Sequence, residues 1–230
     1  MESESGLSDV WRNMLRLGLG ALAHAHRHAC YMSMENDRWP DLAVLQAAHA
    51  AEIIVKARIA QEHPLLLFDS LPTRKKAKSQ RLELLDLVEH GRTIQWSELP
   101  ERLWAAAGIE LADEERFREF GKLRNTIQHF AAPEGLNLQE KVLRFTFGIV
   151  DPLLVECWGL CAVDYDEDYE PYVYFVPVII QNEIEFAVSR AAAETAKDWD
   201  VDWSEMRPDY RQRLERRIAE AMATTEKEDT

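Results

Sequence analysis

Apolar residues recur three and four positions apart through most of the first 160 residues, and proline or glycine interrupts them at intervals. That periodicity is the signature of amphipathic helices and leaves little room for a sheet. Leu15, Leu19, Leu22 and Cys30 mark a helix from about Ser8 to Met34, with Ser8 and Asp9 as its expected cap. Trp39-Pro40-Asp41 reads as a turn into a second helix with Asp41 as N-cap. Leu42, Leu45, Ala48, Ile53, Val55 and Ile59 are its apolar positions. His63-Pro64 ends it, because a residue before proline disfavours the α region. Short helices are expected over 81–89, stopped by Gly91, and over 97–107. Ala112-Asp113-Glu114-Glu115 then opens a helix carrying Phe117, Phe120, Leu123 and Ile127, with a negative first turn that suits the helix dipole. It ends before Ala132-Pro133-Glu134-Gly135. A long helix follows from about Leu136 to Leu160, bent at Pro152.

Past Gly159 the character changes. VDYDEDYEPYVYFVPVII is rich in Tyr and Val and broken by proline, which predicts short strand-like stretches. Two helices are expected beyond Asn182. The fold class is therefore mainly α: an antiparallel helical bundle over residues 1–160 and a mixed, acidic C-terminal extension over 161–230.

Charge follows the same division. The chain carries a net charge of −14. Residues 1–150 hold 19 Lys and Arg against 21 Asp and Glu, a balance of −2, whereas residues 151–230 hold 8 against 20, a balance of −12. A generally basic nucleic-acid binder is excluded, but the objection applies to the extension and not to the bundle. Three cysteines (Cys30, Cys157, Cys161) are too few for a disulfide-framed module, and reduced thiols are expected. The acidic start MESESGLSDVW has no basic region and no apolar core, so no secretory leader is expected. The longest apolar run, Val173 to Ile180, contains Pro177 and falls far short of the roughly 20 residues that cross a bilayer. A cytoplasmic protein with no membrane contact is expected.

The most informative stretch is Leu123-Arg124-Asn125-Thr126-Ile127-Gln128-His129-Phe130. Arg is always cationic and forks onto phosphate oxygens. His exchanges protons near neutral pH. Together they can stabilise charge on a phosphate in transfer and move protons without a metal. On a regular helix Arg124 and His129 stand about 140° apart. They converge if the helix end relaxes near Ala131-Ala132-Pro133, or if a second subunit supplies its own copy. The plainer reading makes Arg124 a surface ion-pairing residue, with Glu119 or another acid, and His129 a helix-terminal histidine near the dipole. Arg58 to His63 repeats the spacing, but Ile59 takes the polar position and a proline follows, so it reads as a chance match.

Upstream, Leu45-Gln46-Ala47-Ala48-His49-Ala50-Ala51-Glu52-Ile53-Ile54-Val55-Lys56-Ala57-Arg58 precedes the apolar His63-Pro64-Leu65-Leu66-Leu67-Phe68. This order, followed by a helix with Leu-Arg-Asn-x-x-x-His, resembles the HEPN superfamily over about residues 8–160. The resemblance implies a HEPN-like helical bundle that dimerises, and a metal-independent endoribonuclease without cofactor. Its Arg-x4–6-His motifs meet across the dimer in a composite site. RNA cleavage by 2′-OH attack leaves a 2′,3′-cyclic phosphate and a 5′-hydroxyl. His129 would be the acid and base, Arg124 the phosphate stabiliser and Asn125 the orienting group. A toxin or a phage- or stress-defence effector is implied, with a possible antitoxin or regulatory partner. The alternative is a non-catalytic HEPN-like module that binds a nucleotide, RNA or protein. One branch carries Tyr two residues after the motif His. Here Ala131 stands there, which argues against control by adenylylation.

Other residues carry two readings each. Glu52 and Lys56, four apart, form a helix ion pair or support the site. His49 shares their side. Arg74, Lys75, Lys76, Lys78 and Arg81 are a solvated loop or an RNA-phosphate contact. His24, His26 and His28 are expected in packing or at the surface, with no metal. Trp96 and Trp104 are expected in the core rather than stacked on bases. The acidic run Asp164 to Glu170 lacks a calcium-loop pattern and reads as a solvated loop, or as a cover for a basic groove.

Overall fold

The helix that organises the molecule is α2, Trp39–Glu62, which buries Ala43, Val44, Ala47, Ala48, Ala50, Ala51, Ile54, Val55, Ala57, Ile59 and Ala60. A helix apolar on nearly all sides belongs in the centre of a bundle. In the computed structural model, which describes residues 9–31, 33–73, 82–167 and 171–223, it packs along α1 (Val10–Cys30) and also meets the later helices α4, Leu99–Ala107, α5, Glu114–His129, and α6, Leu138–Phe145. Small residues allow this. A Cβ on Gly18 of α1 would lie 2.7 Å from Ile54 Cγ1 and 3.4 Å from the Ala50 carbonyl oxygen, so the close approach of α1 to α2 requires glycine there.

The protein is mainly α-helical, as the periodicity predicts. Helix ends differ in detail. α2 begins at Trp39 with Pro40 in its first turn, and Asp41 is inside the helix rather than its cap. Proline suits that position because its missing N–H has no intrahelical partner to lose. Ser8 lies outside the described residues. Asp9 makes no capping bond and instead accepts from Arg12 at 2.5 Å. α3 spans Leu84–His90.

The bend expected at Pro152 takes a different form. α6 runs through a π-turn, Thr146–Val150, directly into α7, Asp151–Trp158. The Asp151 amide reaches back five residues to the Thr146 carbonyl. Pro152 has no amide to close a regular turn, and the wider turn absorbs the defect. Gly159 ends α7 in the left-handed conformation, φ 65°.

The strand-like expectation for residues 161–180 is overturned. The segment is helix α8, Pro171–Gln181, with Pro177 inside it. Phe175, Val176, Ile179 and Ile180 are buried, a helical spacing that β-propensity obscured. The only strands among the described residues are β1 (Phe68–Ser70) and β2 (Arg92–Thr93), a short antiparallel pair that the sequence did not announce. α9, Arg190–Glu194, and α10, Pro208–Ala223, complete the chain.

Residues 162–214 contribute to the same hydrophobic core as α1 and α2. Two polar residues form the seam. His26 of α1 is fully buried, stacked on Phe147 at 5.5 Å and tilted against Phe175 of α8 at 4.5 Å. Its Nδ1 lies 2.7 Å from the Tyr165 carbonyl oxygen, which can only accept, so Nδ1 carries the proton. Nε2 is buried without a hydrogen-bond partner, and burial pushes the imidazole down to about 4. Asp151 of α7 accepts from the Ala162 and Ala187 amides, each at 2.7 Å. Burial pushes its carboxyl up to about 6 against those two bonds. On α10, Tyr210 donates to the Ile184 carbonyl at 2.8 Å, and Arg213 and Arg217 both pair with Glu185. Among the described residues no helix is long and apolar enough to cross a membrane.

Candidate functional site

α5 is set by its ends. Asp113 caps it by accepting from the Arg116 amide at 2.8 Å, and Glu114 and Glu115 fill the negative first turn. Phe117 and Phe120 anchor its inner face, Phe120 lying 3.7 Å from Phe145 in a parallel stack. The opposite stripe follows by spacing: Arg118, Lys122, Asn125 and His129 recur at helical intervals and are exposed.

Above α5 lies a cleft of about 540 Å³. Arg118, Lys122, Arg124 and Asn125 form one wall and Thr93 to Ser97 the other, with Glu52 of α2 also lining it. Arg124 reaches round from the edge of the buried face. One guanidinium nitrogen donates to Asn125 Oδ1 at 3.0 Å and the other lies 3.9 Å from Glu52 Oε2. The other Glu52 oxygen takes Lys56 Nζ at 2.6 Å. The Lys56 side chain is only 9% exposed, so the carboxylate that orients Arg124 also serves a buried ammonium. Arg118 pairs with Glu114.

The structure thus brings together Glu52, Lys56, Arg124 and Asn125, which the sequence nominated on two separate helices. It does not bring His129 into the cleft. α5 stays regular through His129, so the helix end does not relax to join His129 to Arg124. His129 is instead one turn beyond Asn125 on the same face, at the usual spacing of about 5–6 Å between neighbouring Cβ atoms. His49 is exposed on α2. Arg74, Lys75, Lys76, Lys78 and Arg81 lie outside the described residues.

Trp96 has a structural role at the rim. Its ring stacks on Phe117 at 4.1 Å and its Nε1 donates to the Phe117 carbonyl at 3.3 Å. A Cβ on Gly121 would fall 2.2 Å from that nitrogen. Glycine is therefore what lets the ring lie on α5. Trp104, expected in the core, is 53% exposed on α4, because its neighbour Leu103 takes the inward position. Sequence reasoning missed Arg118 and Lys122; their signal was the i, i+4, i+7, i+11 stripe they form with Asn125 and His129.

The histidine-rich segment of α1 is held by neighbours rather than by a metal-ligand geometry. His24 pairs with Glu167 and meets His28 edge-on at 5.1 Å, and His28 meets Trp39 at 4.9 Å. Cys157 and Cys161 are free thiols, and burial pushes them up to about 11 and about 12.

Chemically, the cleft can bind an anion. Its arginine is pre-oriented by a carboxylate and an amide, which suits bidentate contact with phosphate oxygens. Comparison with known families, with curated proteins and with solved structures finds no match for this chain.

Proposed function

We propose that this protein is a metal-independent endoribonuclease with a HEPN-like bundle, acting as a toxin or defence effector. The observation that carries the reading is the Lys56–Glu52–Arg124–Asn125 chain of contacts at an open cleft, with His129 one turn away on the Asn125 face. Arg124 binds the scissile phosphate and stabilises its added charge. Asn125 and Glu52 hold the guanidinium in place. His129 exchanges the protons of the 2′-OH and the leaving 5′-oxygen. A second copy of the chain supplies the opposing half of the site, and a regulatory protein or antitoxin restrains it.

RNA cleavage that persists in EDTA and leaves 2′,3′-cyclic phosphate ends supports this reading. His129→Ala is expected to lower cleavage by about 10²–10⁴-fold. Full activity in that variant overturns it. One observation favours a second reading, a module that binds RNA or nucleotide without turnover: His129 lies outside the cleft that holds Arg124. Binding without cleavage in the wild type would select it.

A further inference from the structure

The two walls of the cleft differ in chemistry. The α5 wall carries three cations, Arg118, Lys122 and Arg124. The facing wall, from β2 into the following turn, carries no charge and presents Thr93, Gln95 and Ser97, all exposed at its rim. A bare phosphate would engage the first wall and leave the second unused. The volume of about 540 Å³ is that of a pocket for a larger, two-ended ligand.

We propose that the cleft holds one nucleotide unit, with its phosphate on the α5 wall and its base against Thr93, Gln95 and Ser97, which set base preference. This inference rests on the reading of Arg124 as a phosphate ligand. A carboxamide offers both donors and an acceptor, and a hydroxyl offers either, so these side chains can match the hydrogen-bonding edge of a base. Sequence-specific contact with RNA uses such edges on unstacked bases. Stacking is not what this wall offers, because one face of Trp96 is already covered by Phe117. The wall is also fixed before a ligand arrives. Trp96 is tied to α5 by its Nε1 bond, and the Ile94 amide donates to the Leu67 carbonyl at 2.9 Å. The Gln95 amide donates to Glu98 at 2.6 Å. A rigid edge discriminates better than a mobile one, because less order is lost on binding.

The test is calorimetric titration of the full chain with the four nucleoside 3′-monophosphates and with inorganic phosphate. The nucleotides are expected to bind at least tenfold more tightly than phosphate, with affinity that depends on the base. Gln95→Ala and Ser97→Ala should each weaken the preferred nucleotide by about 2–10-fold, the worth of one hydrogen bond. The double variant should bind all four equally. Inorganic phosphate binding by that variant checks that the α5 wall is intact, and Arg124→Gln should weaken every anion. Equal affinity for nucleotide and phosphate overturns the inference. So does a base ranking that survives in the double variant. Base-dependent binding without any RNA cleavage would defeat the ribonuclease reading and keep this one. Cleavage with no base preference would do the reverse.

Discussion

Two regions of this molecule use polar side chains in opposite ways. At the α5 cleft, Glu52, Arg124, Asn125 and His129 meet solvent at an open surface. At the seam between α1, α7 and the C-terminal helices, His26 and Asp151 are buried and held by backbone partners. The seam fixes its groups in one protonation state and one geometry. The cleft leaves its groups free to meet something else. The same residue type therefore has different work in each place: His26 is a packing element with a donor, and His129 is available for chemistry.

The sharpest way to break that comparison is to truncate both histidines. His26→Ala removes a fully buried ring and leaves the Tyr165 carbonyl unpaired, and should lower unfolding stability by ~3–5 kcal/mol. His129→Ala, at an exposed helix end, should stay within ~0.5 kcal/mol of wild type. Chemical denaturation measures both. Equal losses would erase the distinction.

Acid titration of stability tests the seam next. His26 is pushed down to about 4 from 6.5, so the unfolded chain binds its proton first and stability falls as pH drops from 6.5 to 4. Asp151 is pushed up to about 6 from 3.8, so the folded chain binds its proton first and stability rises as pH drops from 6 to 3.8. Each effect amounts to ~3 kcal/mol, and they oppose one another across most of one window. Asp151→Asn should therefore lose stability with acid over pH 6.5–4. His26→Phe should gain it over pH 6–4. Parallel slopes in the two variants would show that the groups are not shifted as the geometry demands.

Smaller effects probe the cleft wall. Gly121→Ala drives a methyl group into Trp96, and overpacking of this kind costs ~1–3 kcal/mol. Tryptophan fluorescence should report the displaced ring. Glu52→Gln comes last, at ~1 kcal/mol or less in stability, because the carboxylate is partly solvated. Its larger readout is weaker phosphate binding, since Arg124 loses its orienting partner.

The bundle was legible because its signals are local. Leu15, Leu22, Phe117 and Phe120 show their period directly, and His63-Pro64 and Gly159 stop helices by backbone rules. α8 was misread because Tyr172, Val173, Tyr174 and Val176 favour strands in isolation, while burial against Phe147 and His26 decides the matter. In the site, Arg124, Asn125 and Glu52 could be nominated from residue type and helix order. The cleft itself could not, because its second wall is placed by the β1–β2 pairing and by the contact of Trp96 with Gly121, both non-local. The seam was invisible for the same reason: the bonds of Asp151 span 11 and 36 residues.

The π-turn before Pro152 has a consequence for how this chain tolerates change. It places one additional residue in the winding between α6 and α7, and each residue turns a helix by about 100°. Removing any one residue from 146–150 would restore regular winding and rotate everything after it. Asp151 would then face away from the Ala162 and Ala187 amides, and the C-terminal helices would lose their tie to the bundle. The segment can accept many replacements of side chain but not a change of length. Its content is a count of residues more than a choice of them.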